Sequence, residues 1–129
     1  MKLRKDVRDK KMERTARNIL LFLEKKTDDF QNRVALGIRT AHGWNEFTYK
    51  GIGRLSRKIA CYLIHNLQVK KGERLAILSE SRPEYGGAVF ASVMSGMTTV
   101  PLDIKLTKYE LVSILSDCRP TVLVVSNNF

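Results

Sequence analysis

Apolar residues recur along this chain with two periods, and the changes from one to the other divide it into elements. In the segment TARNILLFLEKKTDDF, Ala16, Ile19, Leu20 and Leu23 share one side of a helix, with Phe22 at its margin. Asn32–Ala41, around RVALGI, then reads as a strand. HGWN reads as a turn, in which Gly43 permits positive φ and Asn45 tolerates it, and Glu46–Lys50 as the return strand of a hairpin. The clearest helical pattern runs from about Ile52 to Leu67. Ile52, Leu55, Ile59, Leu63 and Leu67 recur at helical spacing, joined by Ala60 and Tyr62, while Arg54, Arg57, Lys58, Cys61 and His65 fall opposite.

After the turn VKKGE the pattern becomes that of buried strands alternating with helices. Arg74–Ser79 is an apolar strand. Ser81-Arg82-Pro83-Glu84 fits a capping box with proline in the first turn. The helix behind it, EYGGAVFASVMS, is apolar nearly all round. Gly86 and Gly87 weaken it by about 1 kcal/mol each relative to alanine, which points to close packing against another element. Gly96 stands where a C-terminal cap belongs. TTVPLD supplies the next strand, Thr107-Lys108-Tyr109-Glu110 a second capping box, and Leu111, Ile114 and Leu115 the core stripe of the helix Lys108–Asp117. RPTVLVVS supplies a last strand. The fold class is therefore α/β: a partial parallel β-α-β-α-β sheet with crossover helices, preceded by an N-terminal helix and a β-hairpin.

Composition narrows the class without fixing a function. Hydrophobic residues make up 43% of the 129, enough for a packed core. The net charge of +10 is compatible with nucleic acid, anionic lipid or phosphate-bearing small molecules. It is dispersed, however, and the N-terminal basic run is interleaved with Asp6, Asp9 and Glu13 at helical spacing and lacks aromatics that could stack on bases. Nucleic acid is thus disfavoured as a partner, and attraction to a membrane surface is a weak alternative. No apolar run approaches the roughly 18 residues of a spanning helix, and no secretory signal pattern opens the chain. The expectation is a cytoplasmic protein, peripheral to a membrane at most. Cys61 and Cys118 have no metal-like spacing, and His42 and His65 have no partner at ligand spacing, so no metal site is expected.

Few residues invite chemistry. Gly51-Ile52-Gly53 lies between a strand and a helix but lacks the third glycine of a dinucleotide fingerprint and the lysine of a phosphate loop, so it reads as a helix opening. Parallel sheets place ligands beyond the carboxyl ends of their strands, here Ser79–Arg82, Asp103–Lys105 and Ser126–Asn128. Arg82, basic and at a helix N-terminus, is the leading binding candidate, followed by Ser81 and Asp103. A capping serine, a solvated arginine and a turn aspartate account for the same three residues without a ligand.

The wording of these elements resembles the N-terminal region of the AMP-forming adenylate synthetases, a superfamily of acyl-CoA synthetases, luciferases and peptide-synthetase adenylation domains. Thr48-Tyr49 is similar to its TY-x-E-L opening, Gly72–Leu78 to its G-D-R-V-A-I-L strand, and Ser95–Asp103 to its A-G-A-x-x-V-P-L-D motif. LSESRPEY is closest to the LSENRPEW wording of fatty acyl-CoA synthetases. The resemblance covers roughly Asp29–Ser126, with Gly51-Ile52 in place of the usual Glu-Leu and Ser81 in place of a common Asn. It implies an incomplete AMP-binding domain over 29–129, and the charge and helical spacing of the residues before it read as a basic helical segment over 1–28. For an intact member it implies ATP, Mg²⁺ and CoA, with a fatty acid as substrate and CoA or a carrier protein as acceptor. The Ser/Thr/Gly-rich loop of the type TSGTTGxPK, the adenine and ribose motifs and the catalytic lysine are not among the 129 residues, so no catalytic residue can be carried over. The expectation is a fragment or subunit inactive alone, holding no cofactor by itself and partnered by the rest of a synthetase or by its own copies. The competing expectation is a non-catalytic interaction module on the same scaffold.

Overall fold

The computed structural model describes residues 18–128. The expected basic segment before Asn18, with Ala16, lies outside them. Helix α1 spans Ile19–Phe30, with Asn18 as its N-cap, whose Oδ1 accepts from Leu20 N and Leu21 N. Its inward side is Leu20, Leu23, Lys26, Thr27 and Phe30, all half-buried. Ile19, expected on that side, is instead 56% exposed, because α1 leans on its neighbours along a narrower stripe than the sequence pattern suggests.

Strands β1 (Val34–Thr40) and β2 (Gly43–Thr48) pair antiparallel, with Thr40 opposite Gly43 and Gly37 opposite Glu46. The turn lies at Ala41–His42, not over His42–Asn45 as expected. Trp44 and Asn45 are already paired with Arg39 and Ile38. Thr40 Oγ1 fastens the early turn, donating to Gly43 O and accepting from His42 N.

Helix α2 spans Tyr49–His65 and begins three residues before the expected start, because Thr48 caps it by accepting from Gly51 N at 3.0 Å. Gly51 and Gly53 therefore lie within the helix, where their N–H groups are not arranged as a phosphate loop. The buried face is Ile52, Gly53, Ser56, Ala60 and Leu63. Tyr62 and Leu67, expected on it, are exposed: Tyr62 points off the stripe and Leu67 lies beyond the helix end. Arg54, Arg57, Lys58, Cys61 and His65 are exposed as expected.

Three strands, β3 (Arg74–Leu78), β4 (Thr98–Leu102) and β5 (Val122–Val125), form a parallel sheet in the order β4-β3-β5. Ile77 of the central strand faces Pro101 on one side and Val124 on the other. Helix α3 (Pro83–Met94) joins β3 to β4, and helix α4 (Lys108–Cys118) joins β4 to β5. Leu75 and Ile77 pack with Ala60 and Leu63 of α2 and Ala88 and Ala91 of α3, while Ala76, Leu78 and Leu102 pack with Leu111 and Leu115 of α4. Both faces of β3 are thus covered, which explains its apolar run; each fully buried leucine or isoleucine contributes about 1.5–3 kcal/mol. Ile114, expected in the α4 stripe, is 36% exposed, because Leu111 and Leu115 already fill the contact with the sheet.

The ends of α3 show one expectation corrected and one met. The Ser81 capping box does not form: Arg82 is the N-cap, in extended conformation, and no side-chain cap bond is made. Pro83 at the first helical position forces the preceding residue to be extended, which moves the cap one residue past Ser81. At the other end Gly96 takes φ +69°, its N–H donating to Val93 O and that of Met97 to Ser92 O. That is a Schellman closure, open to glycine at no steric cost. The second capping box does form: Thr107 Oγ1 accepts from Glu110 N while Glu110 Oε2 accepts from Thr107 N.

Candidate functional site

Chain order and sheet order together define a switch point. From β3 the chain moves to β4 on one side and then crosses to β5 on the other. Loops leaving β3 and β5 consequently diverge, and ligands of open α/β sheets bind in the crevice this creates beyond the carboxyl ends. A cleft of about 210 Å³ occupies this position. Ile77, Ala88 and Val124 give it an apolar floor, and Ser79, Arg82, Glu84, Tyr85, Ser126 and Asn127 a polar rim.

The charges on this rim are largely committed. Arg82 donates from Nε to Glu84 Oε2 at 3.0 Å and from Nη2 to Glu84 Oε1 at 3.1 Å. This bidentate pair raises the arginine's pKa and holds the Glu84 carboxyl below the usual glutamate range. Beside it, Glu80 Oε1 accepts from Asn128 Nδ2 at 2.6 Å, tying the loop after β3 to the loop after β5. The neighbouring Ser126 hydroxyl, then the Asn128 amide and the residue's own backbone N–H, lower the Glu80 pKa. Glu80 Oε2 and Ser126 Oγ are both buried, and the Ser126 hydroxyl that lowers the Glu80 pKa is the donor available to that carboxylate oxygen. With Arg82 already paired to Glu84, the rim suits a hydroxyl or amide group better than a free anion.

Of the three residues singled out from sequence, Arg82 lines the cleft. Ser81 is exposed and outside the lining. Asp103 sits across the sheet, after β4, where its Oδ1 accepts from Lys105 N at 2.9 Å and shapes a turn. Glu80, Tyr85 and Asn128 were not singled out, although Glu80 immediately follows the buried strand and falls within a strand end already marked for ligands. Among the described residues no His, Cys, Asp or Glu group could hold a metal ion, Cys61 and Cys118 are free, and no helix is long and apolar enough to cross a membrane. These residues accordingly offer neither a metal-ligand set nor an uncommitted cation at the switch point for a magnesium nucleotide.

A switch-point crevice on a parallel sheet flanked by helices defines a nucleotide- or small-molecule-handling α/β class. Within it, residues 23–128 match the AMP-binding enzyme family, and the chain belongs to that family. It is similar to the 2-succinylbenzoate–CoA ligase of Bacillus velezensis, 33% identical over 65% of this chain and 17% of that protein. It is also similar to the long-chain-fatty-acid–CoA ligase of Escherichia coli O157:H7, 32% identical over 64% of this chain and 15% of that protein. Among solved structures, O-succinylbenzoate coenzyme A synthetase from Bacillus subtilis, in complex with ATP and magnesium ion, superposes with a TM-score of 0.73 at 28% identity, covering 84% of this chain and 28% of that one. The chain spans about one-sixth of the length of the curated relatives it matches. The resemblance in the sequence and the expected α/β architecture are both borne out.

Proposed function

We propose that this chain is the N-terminal portion of an AMP-forming acyl-CoA synthetase, which joins a fatty acid to CoA at the expense of ATP, releasing AMP and pyrophosphate. In this reading residues 29–129 form an incomplete AMP-binding domain, residues 1–28 a basic helical extension, and the chain alone does not adenylate. The family match over residues 23–128 carries the reading. It is supported by the relatives being CoA ligases and by the lack of a TSGTTG-like loop in the 129 residues. ATP and Mg²⁺ are assigned to the remainder of such an enzyme, and no step is assigned to them here.

The contribution of this chain is positional. Arg82 and Glu84 fix the start of α3, and Glu80 with Asn128 fixes the spacing of the two loops at the switch point. Ser81 and Asp103, exposed at two strand ends, remain candidates for polar contacts with the remainder of the enzyme. The outer edge of β5, with Leu123 and Val125 46% and 42% exposed, is the surface offered to that remainder or to another copy. The decisive measurement is carboxylate-dependent ATP–pyrophosphate exchange by the purified chain. The expected result is no exchange above background; clear turnover with a fatty acid would sink the reading. Stable binding of an unrelated protein, with no exchange restored by the remainder of a synthetase, would favour the interaction module.

A further inference from the structure

A second cavity, sharing no lining residue with the switch-point cleft, lies where α1, α2 and α3 meet. It measures about 250 Å³ and is half enclosed. Phe22, Phe30, Tyr49, Ile52, Phe90 and Met94 make its walls aromatic and aliphatic. Two of the wall hydroxyls are occupied, Thr27 Oγ1 donating to Leu23 O at 2.9 Å and Ser56 Oγ to Ile52 O at 2.8 Å; the third belongs to Tyr49. Where α1 meets α2, a Cβ at Gly53 would lie 2.7 Å from Thr27 Cγ2, so this wall has no slack with which to collapse into the space.

The cavity has one charged lining residue, Lys26. Its ammonium sits 5.0 Å from the ring centroid of Phe30 and 5.5 Å from that of Phe22. Arg33 adds a second cation 5.5 Å from the Phe30 centroid. The acids of α1, Glu24, Asp28 and Asp29, are exposed and outside the lining. A largely apolar interior with a single cation, Lys26, in its lining fits a molecule with an apolar body and a single anionic head. Size sets the body: an apolar cavity of about 150 Å³ takes the six carbons of benzene, so 250 Å³ has room for about ten.

We propose that the α1–α2–α3 cavity binds a medium-chain monocarboxylic acid, its chain among the phenylalanines and Met94 and its carboxylate at Lys26. The site is separate from the switch point and needs neither ATP nor the remainder of a synthetase, so it stands or falls independently of the adenylation reading.

The test is calorimetric titration of the 129-residue chain with decanoate and with 1-decanol, in the absence of ATP. Decanoate should saturate one site per chain, and decanol should compete for it. Lys26→Met should weaken decanoate about fivefold, the upper range for a partly exposed ion pair, and leave decanol unchanged. Met94→Trp and Phe90→Trp, which fill the cavity from α3, should each abolish both. Nuclear Overhauser contacts from the decanoate chain to the Phe22 and Phe30 rings provide the reading that requires no variant. Non-saturable uptake, binding unaltered in a filled variant that retains its circular dichroism, or absence of those ring contacts would overturn the proposal.

Discussion

A Cβ added at Gly87 would lie 2.8 Å from Leu55 Cδ2, closer than carbon atoms pack, so the bare backbone at Gly87 sets the separation of α2 and α3. Both helices cover the same face of the sheet, and Ala88 and Ala91 carry that short distance along α3. Small residues are therefore required on α3, although its two glycines lower its intrinsic helix propensity.

Gly87→Ala puts two effects in opposition. Alanine favours the helix by about 1 kcal/mol. Overpacking a tight contact costs about 1–3 kcal/mol, and here the neighbour is the half-buried branched side chain of Leu55, whose Cγ also lies within 3.1 Å of the added carbon. A net loss of stability is expected, read as a lower urea midpoint with an unchanged slope. Leu55→Ala in the same background should recover part of it, whereas independent effects would add.

Leu75 tests the centre of the sheet. It is fully buried, with both faces of β3 covered, and Leu75→Ala should cost about 2.7–5 kcal/mol. For a small domain that is a large share of total stability, so the variant should populate unfolded chain at 37 °C. A loss near 1 kcal/mol by chemical unfolding would mean that the sheet is less tightly covered than the structure shows.

How far the residues alone lead is visible in these same elements. RLAILS announces a strand buried on both faces, and Pro83 and Gly96 punctuate α3 by rigid geometric requirements that context does not override. α3 starts one residue later than SRPE suggests, because that segment satisfies a capping box on paper while the conformational restriction before Pro83 decides the matter in space. At the site, Arg82 was legible from its place after a strand. Its partner Glu84 and the contact from Glu80 to Asn128 were not. The latter spans 48 residues and exists because β5 lies beside β3, whereas chain order alone would equally allow β5 beyond β4.

The capping box of α4 makes a pH prediction. Glu110 accepts from both the backbone and the hydroxyl of Thr107, and these bonds hold its carboxyl below the ordinary value of 4.5. A depressed folded-state pKa means the carboxylate stabilises the fold above the unfolded value and loses that effect as pH falls through the folded one. Stability should therefore decline as pH is lowered below about 4.5, and Glu110→Gln should flatten part of the decline. Thr107→Ala should cost about 1 kcal/mol at neutral pH. Identical acid profiles for Glu110→Gln and the parent would exclude the capping box as a source of acid sensitivity.

The outer edge of β5 carries the last prediction. Among the described residues β5 pairs only with β3, and on the α4 side Leu123 and Val125 are 46% and 42% exposed. An unpaired strand edge beside exposed branched side chains is a template for another strand, from the rest of a synthetase or from a second copy. The chain by itself should thus self-associate at rising concentration, measured by light scattering. Leu123→Lys places a charge on that edge where it makes no core contact. It should shift the distribution toward monomer while changing unfolding stability by no more than about 0.5 kcal/mol. A parent chain that is already monodisperse and monomeric at high concentration would rule out the β5 edge as an assembly surface. If Leu123→Lys instead lowered the unfolding midpoint strongly, Leu123 would belong to the core and not to the interface.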